Sequence, residues 1–305
     1  ALFYINGSMN AIYAIGMTIS SFMVYSSLEC AGNYSSFLHI VSVCVDKANA
    51  ILNLNTMDID GKNIKPDHHD IKLDHVTFSY DQRKIIDDIS LTIPEKTTTA
   101  IVGPSGGGKT TLCNLIARFW DVDSGTVTLG GINVKDYSMN SLMNNFAFVF
   151  QRVYLFADTI ENNIKFGCQN ATHEEVVAAA KKACCHDFIS ALPDGYNTVI
   201  GEGGATLSGG EKQRISIARA IMKDAPIVIL DEATANVDPE NEKELMEAVE
   251  ALTKEKTIIM IAHRLKTVRH ADQIIVIDQG HIVQQGNHES LMLSLIHISE
   301  PTRPY

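Results

Sequence analysis

The amino-acid sequence predicts an α/β domain, with a mostly parallel sheet covered by helices, preceded by one long helix of the membrane-spanning type. Two observations lead to this prediction. The first 28 residues contain no Asp, Glu, Lys or Arg, and about 20 mostly apolar residues suffice to cross a bilayer. After residue 70, short β-branched runs alternate with helical stretches, which is typical of parallel strands joined by helices.

The composition limits the class of protein. The chain has 305 residues, 45% hydrophobic and 20% charged, which corresponds to about two domains or to one domain with an appendage. There are 25 basic and 36 acidic residues, a formal net charge of −11. This balance argues against a general nucleic-acid binder, which would need a basic face. The six cysteines form no CxxC pair and no metal-like spacing, so we expect reduced intracellular thiols.

The first 54 residues predict a helix that crosses a membrane and continues beyond it. Small and hydroxylated residues interrupt the apolar run at 1–28, as in helices that pack against other membrane helices. From 34 to 54 the apolar residues recur at steps of three and four, which indicates an amphipathic continuation. A buried helix of a soluble protein is the alternative. Residues 55–70 contain Asp58, Gly61 and Pro66 and predict a linker.

The elements of the α/β domain follow the linker. A helix is expected from Lys109 onward, where the glycine-rich stretch ends. Apolar, β-branched runs predict strands at 71–80, 89–93, 98–102, 126–129, 227–230, 257–262 and 273–278.

A glycine-rich loop between a strand and a helix predicts a phosphate-binding site. Its glycines let backbone N–H groups face a phosphate, Lys109 supplies a positive charge, and the Thr110 hydroxyl is suited to Mg²⁺. The start of the following helix adds its positive end. The predicted nucleotide contacts in this loop are Gly103, Pro104, Ser105, Gly106, Gly107, Gly108, Lys109, Thr110 and Thr111.

Two carboxylates end a later apolar strand. Residues 227–230 are four aliphatic residues, followed by Asp231 and Glu232. Asp231 is predicted to hold Mg²⁺, and Glu232 to polarise the water that attacks the terminal phosphate. Such a run is a weak signal alone, but combined with the phosphate loop it predicts nucleoside triphosphate hydrolysis.

Residues 207–214 read LSGGEKQR, and at this point the chain resembles a family. This sequence is the distinguishing signature of the nucleotide-binding domain of ABC transporters, a P-loop ATPase with a RecA-like core and a helical subdomain. Its Ser208, Gly209, Gly210 and Glu211 stand at a predicted helix start, which suits an anion. The resemblance extends over about 71–287 and implies that ATP and Mg²⁺ are bound.

The resemblance also assigns four residues outside these motifs. It implies that Tyr80 stacks on adenine, and that Gln151 contacts Mg²⁺ or the attacking water and faces the membrane domain. Asp238 would lie at the seam of a dimer, and His263 would contact the γ-phosphate. In this family two ATPase domains meet head to tail, so that each ATP lies between the phosphate loop of one chain and the signature of the other.

The exporter branch of the family predicts the domain organisation. The membrane domain precedes the ATPase there, so residues 1–54 match its last helix and the cytosolic extension of that helix. Five earlier helices and a C-terminal helix would then be missing from this C-terminal portion of a half-transporter. The predicted divisions are a helix at 1–54, a linker at 55–70, the ATPase domain at 71–292 with its helical subdomain at about 146–212, and residues 293–305, which resemble a translated sequencing adapter.

The function implied by the resemblance is ATP hydrolysis that drives export of an unidentified substrate across the plasma membrane. Its partners would be a second half-transporter, identical or different, and membrane lipid around the N-terminal helix, with no nucleic acid. The ATPase domain would lie in the cytoplasm. Two alternatives stay open: a non-transporting ABC ATPase, and a fragment that binds ATP without transporting anything.

Overall fold

The structure is a computed structural model that describes residues 2–54, 57–204, 207–231, 239–262 and 268–291. The chain divides into two units, Ala1–Met57 and Asp58–Tyr305. The helices are α1 Leu2–Ile5, α2 Ala11–Leu52, α3 Lys109–Ile116, α4 Met139–Met143, α5 Ile160–Lys165, α6 His173–Lys182, α7 His186–Ser190, α8 Gly209–Lys223 and α9 Pro239–Thr253. The strands are β1 Ile71–Tyr80, β2 Arg83–Ile93, β3 Thr98–Val102, β4 Ser124–Leu129, β5 Ile132–Asn133, β6 Phe146–Val149, β7 Ile227–Asp231, β8 Thr257–Ile261, β9 Gln273–Asp278 and β10 His281–Gly286.

The first unit consists mainly of α2, a continuous helix of 42 residues. At 1.5 Å per residue it is about 63 Å long, about twice the thickness of a hydrocarbon core. Among the described residues it is the one helix long and apolar enough to cross a membrane. Four of its hydroxyl groups donate to backbone carbonyls four residues earlier, as from Thr18 to Ala14 and from Ser27 to Met23. These bonds satisfy the four hydroxyls within the helix, which favours their burial in a hydrocarbon environment.

The second unit is built on a six-stranded sheet in the order β10, β9, β3, β8, β7, β6. All neighbours in it are parallel except β9 and β10. The prediction of a mostly parallel sheet is therefore confirmed for this sheet. Strands β6 and β10, at the two edges of the sheet, were not expected from the sequence, because β6 has only four residues and β10 alternates between half-buried and exposed residues.

A second, four-stranded sheet in the order β2, β1, β4, β5 is antiparallel, which differs from the expectation. Strand β2 begins at Arg83, six residues before the predicted start, because it pairs with β1 across the two-residue turn Asp81–Gln82. In this hairpin Tyr80 lies opposite Arg83, and Ser79 lies opposite Lys84. The early residues of β2 are charged and exposed, so the hydrophobic pattern alone does not reveal them.

Two main hydrophobic cores lie on the two opposite faces of the parallel sheet. One contains α3 and the antiparallel sheet, with Leu112 and Ile86 among its buried residues. The other contains α5, α6 and α8, with Ile164, Val176 and Ile217. The phosphate-loop helix and the signature helix are thus stabilised by separate cores.

The segment after Met57 is attached to the second unit at the far end of α3. Arg118, which is 2% exposed, donates to the carbonyl oxygen of Asp58 at 2.7 Å. Lys62 N–H donates to the Asp136 carbonyl at 2.8 Å, and Ile64 N–H donates to the Ser141 hydroxyl at 3.0 Å. Residues 58–64 therefore run along the α/β unit as a segment held by hydrogen bonds.

Candidate functional site

The glycine-rich loop leaves β3 at Gly103 and enters α3 at Lys109. Gly103, Gly106 and Gly108 have φ angles of 147°, 79° and 106°, a region that side-chain-bearing residues rarely adopt. A Cβ atom on Gly103 would overlap the carbonyl oxygen of Ile277, a buried residue of β9. Glycine is thus required here by both backbone conformation and space.

Lys109 lies over the loop that precedes it. Its Nζ donates to the carbonyl oxygens of Gly103 at 3.0 Å and Pro104 at 2.9 Å, and the residue is 7% exposed. The loop is also tied to the β9–β10 turn, because Gly280 N–H donates to the Gly107 carbonyl at 3.2 Å. The positive charge is therefore held at the start of α3, where a helix favours an anion.

A cavity of about 220 Å³ connects this loop with the β1–β2 hairpin. Tyr80 borders it at the end of β1, with its ring nearly perpendicular to those of Trp120 at 5.3 Å and Phe78 at 4.8 Å between centroids. The structure therefore brings the predicted adenine contact and the phosphate loop to one cavity. Its lining residues are Tyr80, Arg83, Ile85, Gly106, Gly108, Lys109, Thr110 and Thr111.

The carboxyl ends of the parallel strands bring further predicted residues to the edge where the loop begins. Asp231 is level with Ile261 of β8, and Ile261 is level with Ile101 of β3. Gln151 follows β6, the neighbour of β7. Burial raises the pKa of the Cys113 thiol in α3, and the negative charge of Asp231 raises it further. Asp231 is thus close enough to α3 to act on its side chains electrostatically.

The signature residues form the start of α8 in the helical part of the unit. The Ser208 hydroxyl accepts from Glu211 N–H at 3.3 Å, and the Glu211 carboxylate accepts from Ser208 N–H at 2.8 Å. This reciprocal capping box fixes the helix start. Ser208 and Gly209 are exposed, whereas Gly210 is buried. The Glu211 carboxylate is therefore engaged in the cap and holds Ser208 at the helix start.

The signature does not border the cavity at the phosphate loop of its own chain. Among the described residues, the lining of the nucleotide cavity includes none from 208–211. This arrangement agrees with the separate cores that hold α3 and α8. A nucleotide in the cavity would leave the signature of its own chain unused.

Two side chains of α8 donate hydrogen bonds to the segment around Gln151. Neither was predicted from the sequence to have a role at the site. Gln213 Nε2 donates to the Phe150 carbonyl at 3.4 Å, and Arg219 donates to the Tyr154 carbonyl at 3.3 Å. Arg219 also donates to the Asn163 carbonyl at 2.9 Å and the Asn163 Oδ1 at 3.1 Å. The segment 150–154 is therefore anchored to the signature helix on both sides of Gln151. Gln213 lies within the signature motif and Arg219 outside it, but only the tertiary contacts reveal that both hold this segment.

Three predicted site residues, Glu232, Asp238 and His263, lie outside the described residues. The described chain reaches Asp231 at the end of β7 and resumes with α9, and it reaches Ala262 after β8. The assignments of these three residues stay predictions.

Comparison with known proteins agrees with this arrangement. The family model described as "ABC transporter" matches residues 86–235, from strand β2 through the phosphate loop and the signature to the segment after β7. This chain belongs to the ABC transporter family. The family membership confirms the prediction of an α/β ABC ATPase domain with an ATP-binding site. Together with α2, it also confirms the predicted membrane location.

Relatives of this ABC protein are longer chains that are named as a flippase and as export proteins. An ATP-dependent lipid A-core flippase of Desulfotalea psychrophila (strain LSv54 / DSM 12343) is 43% identical over 94% of this chain and 51% of its own length. A candidate multidrug export ATP-binding/permease protein of Staphylococcus aureus (strain NCTC 8325 / PS 47) is 51% identical over 73% of this chain and 39% of its own. The chain thus spans about half or less of these curated relatives.

A solved structure shares the fold. It is titled "Structure of a bacterial Atm1-family ABC exporter with ATP bound", and it is 36% identical, with a TM-score of 0.76. The match covers 87% of this ABC chain and 49% of the exporter chain. The matched region therefore includes more than the ATPase domain alone.

Proposed function

We propose that this chain is the ATPase-bearing portion of an exporter-type half-transporter, in which hydrolysis of ATP drives an unidentified substrate out across the plasma membrane. The observation that supports this most is the cavity that Tyr80 shares with the phosphate loop, whose described lining does not include the signature residues 208–211. The named relatives, a flippase and export proteins, support the direction of transport. We further propose the domain divisions 1–54, 55–70, 71–292 and 293–305, with the helical subdomain at about 146–212.

The nucleotide contacts follow from the loop and the hairpin. Tyr80 would stack on the base, and the amides from Gly103 to Thr111 would surround the phosphates, with Lys109 on the β and γ oxygens. Lys109 now donates to two loop carbonyls, so its ammonium is already held beside the phosphate position.

The donor set at the strand ends fits Mg²⁺. The hydroxyl of Thr110, the amide of Gln151 and the carboxylate of Asp231 are oxygen ligands, the type that Mg²⁺ prefers. Within the described ranges, no group of three or more His, Cys, Asp or Glu could hold a metal by itself. One or two carboxylates suffice when the phosphates supply the other ligands. The ion would neutralise part of the phosphate charge.

Hydrolysis requires a base and a contact to the γ-phosphate beyond these groups. We assign Glu232, next to Asp231, to orient and deprotonate the water, and His263, after β8, to the γ-phosphate. Water adds to the γ-phosphorus as its bond to the β–γ bridging oxygen breaks, which yields ADP and phosphate.

The separation of the cavity from the signature supports a dimer as the working unit. A second half-transporter would place its Ser208–Glu211 segment against the nucleotide of this chain, with Asp238 at the seam. The positive end of the partner's helix would then face the γ-phosphate. Export would follow from closure of the dimer on ATP and its reopening after hydrolysis, with Gln151 facing the membrane domain. Helix α2 would contact membrane lipid.

The test is a Glu232→Gln variant of the whole chain in detergent, with mass measured by light scattering with and without Mg-ATP. We expect the variant to bind ATP and to become dimeric on its addition, because the closed state is no longer released by hydrolysis. A Lys109→Ala variant is the matched control and should stay monomeric. Undiminished turnover in Glu232→Gln would refute the base assignment, and a mass that ATP does not change would refute the ATP-closed dimer.

A further inference from the structure

Arg83 is a second cationic side chain in the nucleotide cavity, and no sequence motif pointed to it. It lines the same cavity of about 220 Å³ as Tyr80 and Lys109. On the basis of the ATP site proposed above, we propose that Arg83 binds the phosphate chain of the nucleotide and thereby contributes to ATP affinity.

The register of the β1–β2 hairpin determines which side chain faces the cavity. Arg83 lies directly opposite Tyr80, and such cross-strand partners project to the same face of the sheet. The next residue, Lys84, lies opposite Ser79 and projects to the other face. Lys84 also forms an ion pair with Asp87, with 3.0 Å between Nζ and Oδ1. Adjacent basic residues therefore have different environments, and one of them borders the nucleotide.

The charge of Arg83 is available to a ligand. Within the described ranges, Arg83 has no carboxylate within ion-pair distance and does not lie over an aromatic ring. Lys109, the other cation in the cavity, already donates to two loop carbonyls. A triphosphate carries several negative charges, and a guanidinium offers paired N–H donors that match phosphate oxygens. The cavity thus combines a ring for the base with two cations for the phosphates.

The phosphate is favoured over the base as the contact of Arg83. The ring of Tyr80 packs nearly perpendicular to the rings of Phe78 and Trp120, which hold it at the border of the cavity. A long arginine side chain on the same sheet face can extend past the ring towards the loop at Gly106 and Gly108, which line the cavity with it. The interaction would then be mainly electrostatic and would weaken with salt.

The experiment compares ATP binding by the wild-type chain, Arg83→Gln and Lys84→Gln, by competition with a fluorescent ATP analogue at low and high salt. We expect Arg83→Gln to weaken ATP binding about 10-fold at low salt, the effect of one charge-assisted hydrogen bond. At high salt the difference should shrink to about threefold. Lys84→Gln should stay within about twofold of wild type. All three should unfold at the same temperature, because Arg83 is exposed.

Each other outcome overturns part of the reasoning. If the wild type binds ATP and Arg83→Gln binds it equally well, Arg83 is not a nucleotide contact, while the proposed ATPase stands. If the loss is the same at both salt concentrations, the contact is not with the phosphates. If the wild type itself does not bind ATP, the proposed function fails, and this inference fails with it.

Discussion

Replacing Gly103 by alanine is expected to abolish tight ATP binding without unfolding the protein. A Cβ at this position would overlap the Ile277 carbonyl oxygen. Ile277 cannot yield, because it is fully buried in β9 and paired with Ile282 of β10. The loop must therefore move away from the sheet. Gly106 offers a matched control, since its φ is also positive at 79° but a Cβ there meets no atom within 4 Å.

The two substitutions differ in the size of the effect. Both place a side chain in a left-handed conformation, which costs about 1–2 kcal/mol. That is the whole cost at Gly106, so ATP affinity should fall by about 30-fold at most. At Gly103 the displaced loop also loses amide bonds to the phosphates, each worth about 1.5–3 kcal/mol because the acceptor is charged. The expected loss of about 3 kcal/mol or more corresponds to over about 100-fold in Kd.

The assay is nucleotide binding by fluorescence competition on both variants, with thermal unfolding measured in parallel. We expect Gly106→Ala to bind ATP up to about 30-fold more weakly than wild type and Gly103→Ala at least about 100-fold more weakly, at similar unfolding temperatures. Equal affinities for the two variants would show that the Ile277 carbonyl does not restrict the loop, and would refute the steric reasoning.

Three further predictions concern the base, the signature helix and the thiols. Tyr80→Ala should weaken ATP binding by about 5- to 100-fold, because a stacked base contributes about 1–3 kcal/mol, whereas Tyr80→Phe should bind normally; unchanged affinity in Tyr80→Ala would exclude stacking. Arg219→Met loses the hydrogen bonds to Tyr154 and Asn163, so it should lower the free energy of unfolding, measured in urea, by about 3 kcal/mol. It should also slow ATP hydrolysis at saturating ATP, and a normal hydrolysis rate would mean that these bonds have only a structural role. Iodoacetamide at pH 8 should label the exposed Cys168 and leave Cys113 unmodified, as measured by mass spectrometry, because burial and the charge of Asp231 raise the pKa of the Cys113 thiol and keep it protonated. Equal labelling of the two cysteines in the native protein would contradict this.

Elements whose signal is local were predictable from the sequence. The strands at 71–80, 98–102 and 273–278 have the bounds that their apolar runs predict. The phosphate loop is equally local, because its glycines, lysine and threonine are consecutive in the chain and lie between a strand and a helix. The ABC family follows from these motifs and their order, since each motif needs only its neighbours in sequence to take its shape.

Elements that depend on pairing were not predictable in the same way. Strand β6 is four residues long, and β10 alternates between half-buried and exposed residues, so each becomes a strand by adding to an existing sheet edge. The antiparallel sheet likewise needed the turn at Asp81–Gln82 to set its register. A shift of one residue in that hairpin would place Lys84 at the cavity instead of Arg83.

The sequence by itself determined the family, the phosphate loop and the presence of a helix long enough to span a membrane, because these depend on residues that are consecutive or at fixed spacing. Only the tertiary structure decided that Tyr80, Arg83 and Lys109 share one cavity and that α8 anchors both sides of Gln151. These relations join residues far apart in the chain, and they arise from strand register and side-chain packing, for which the sequence carries no local signal.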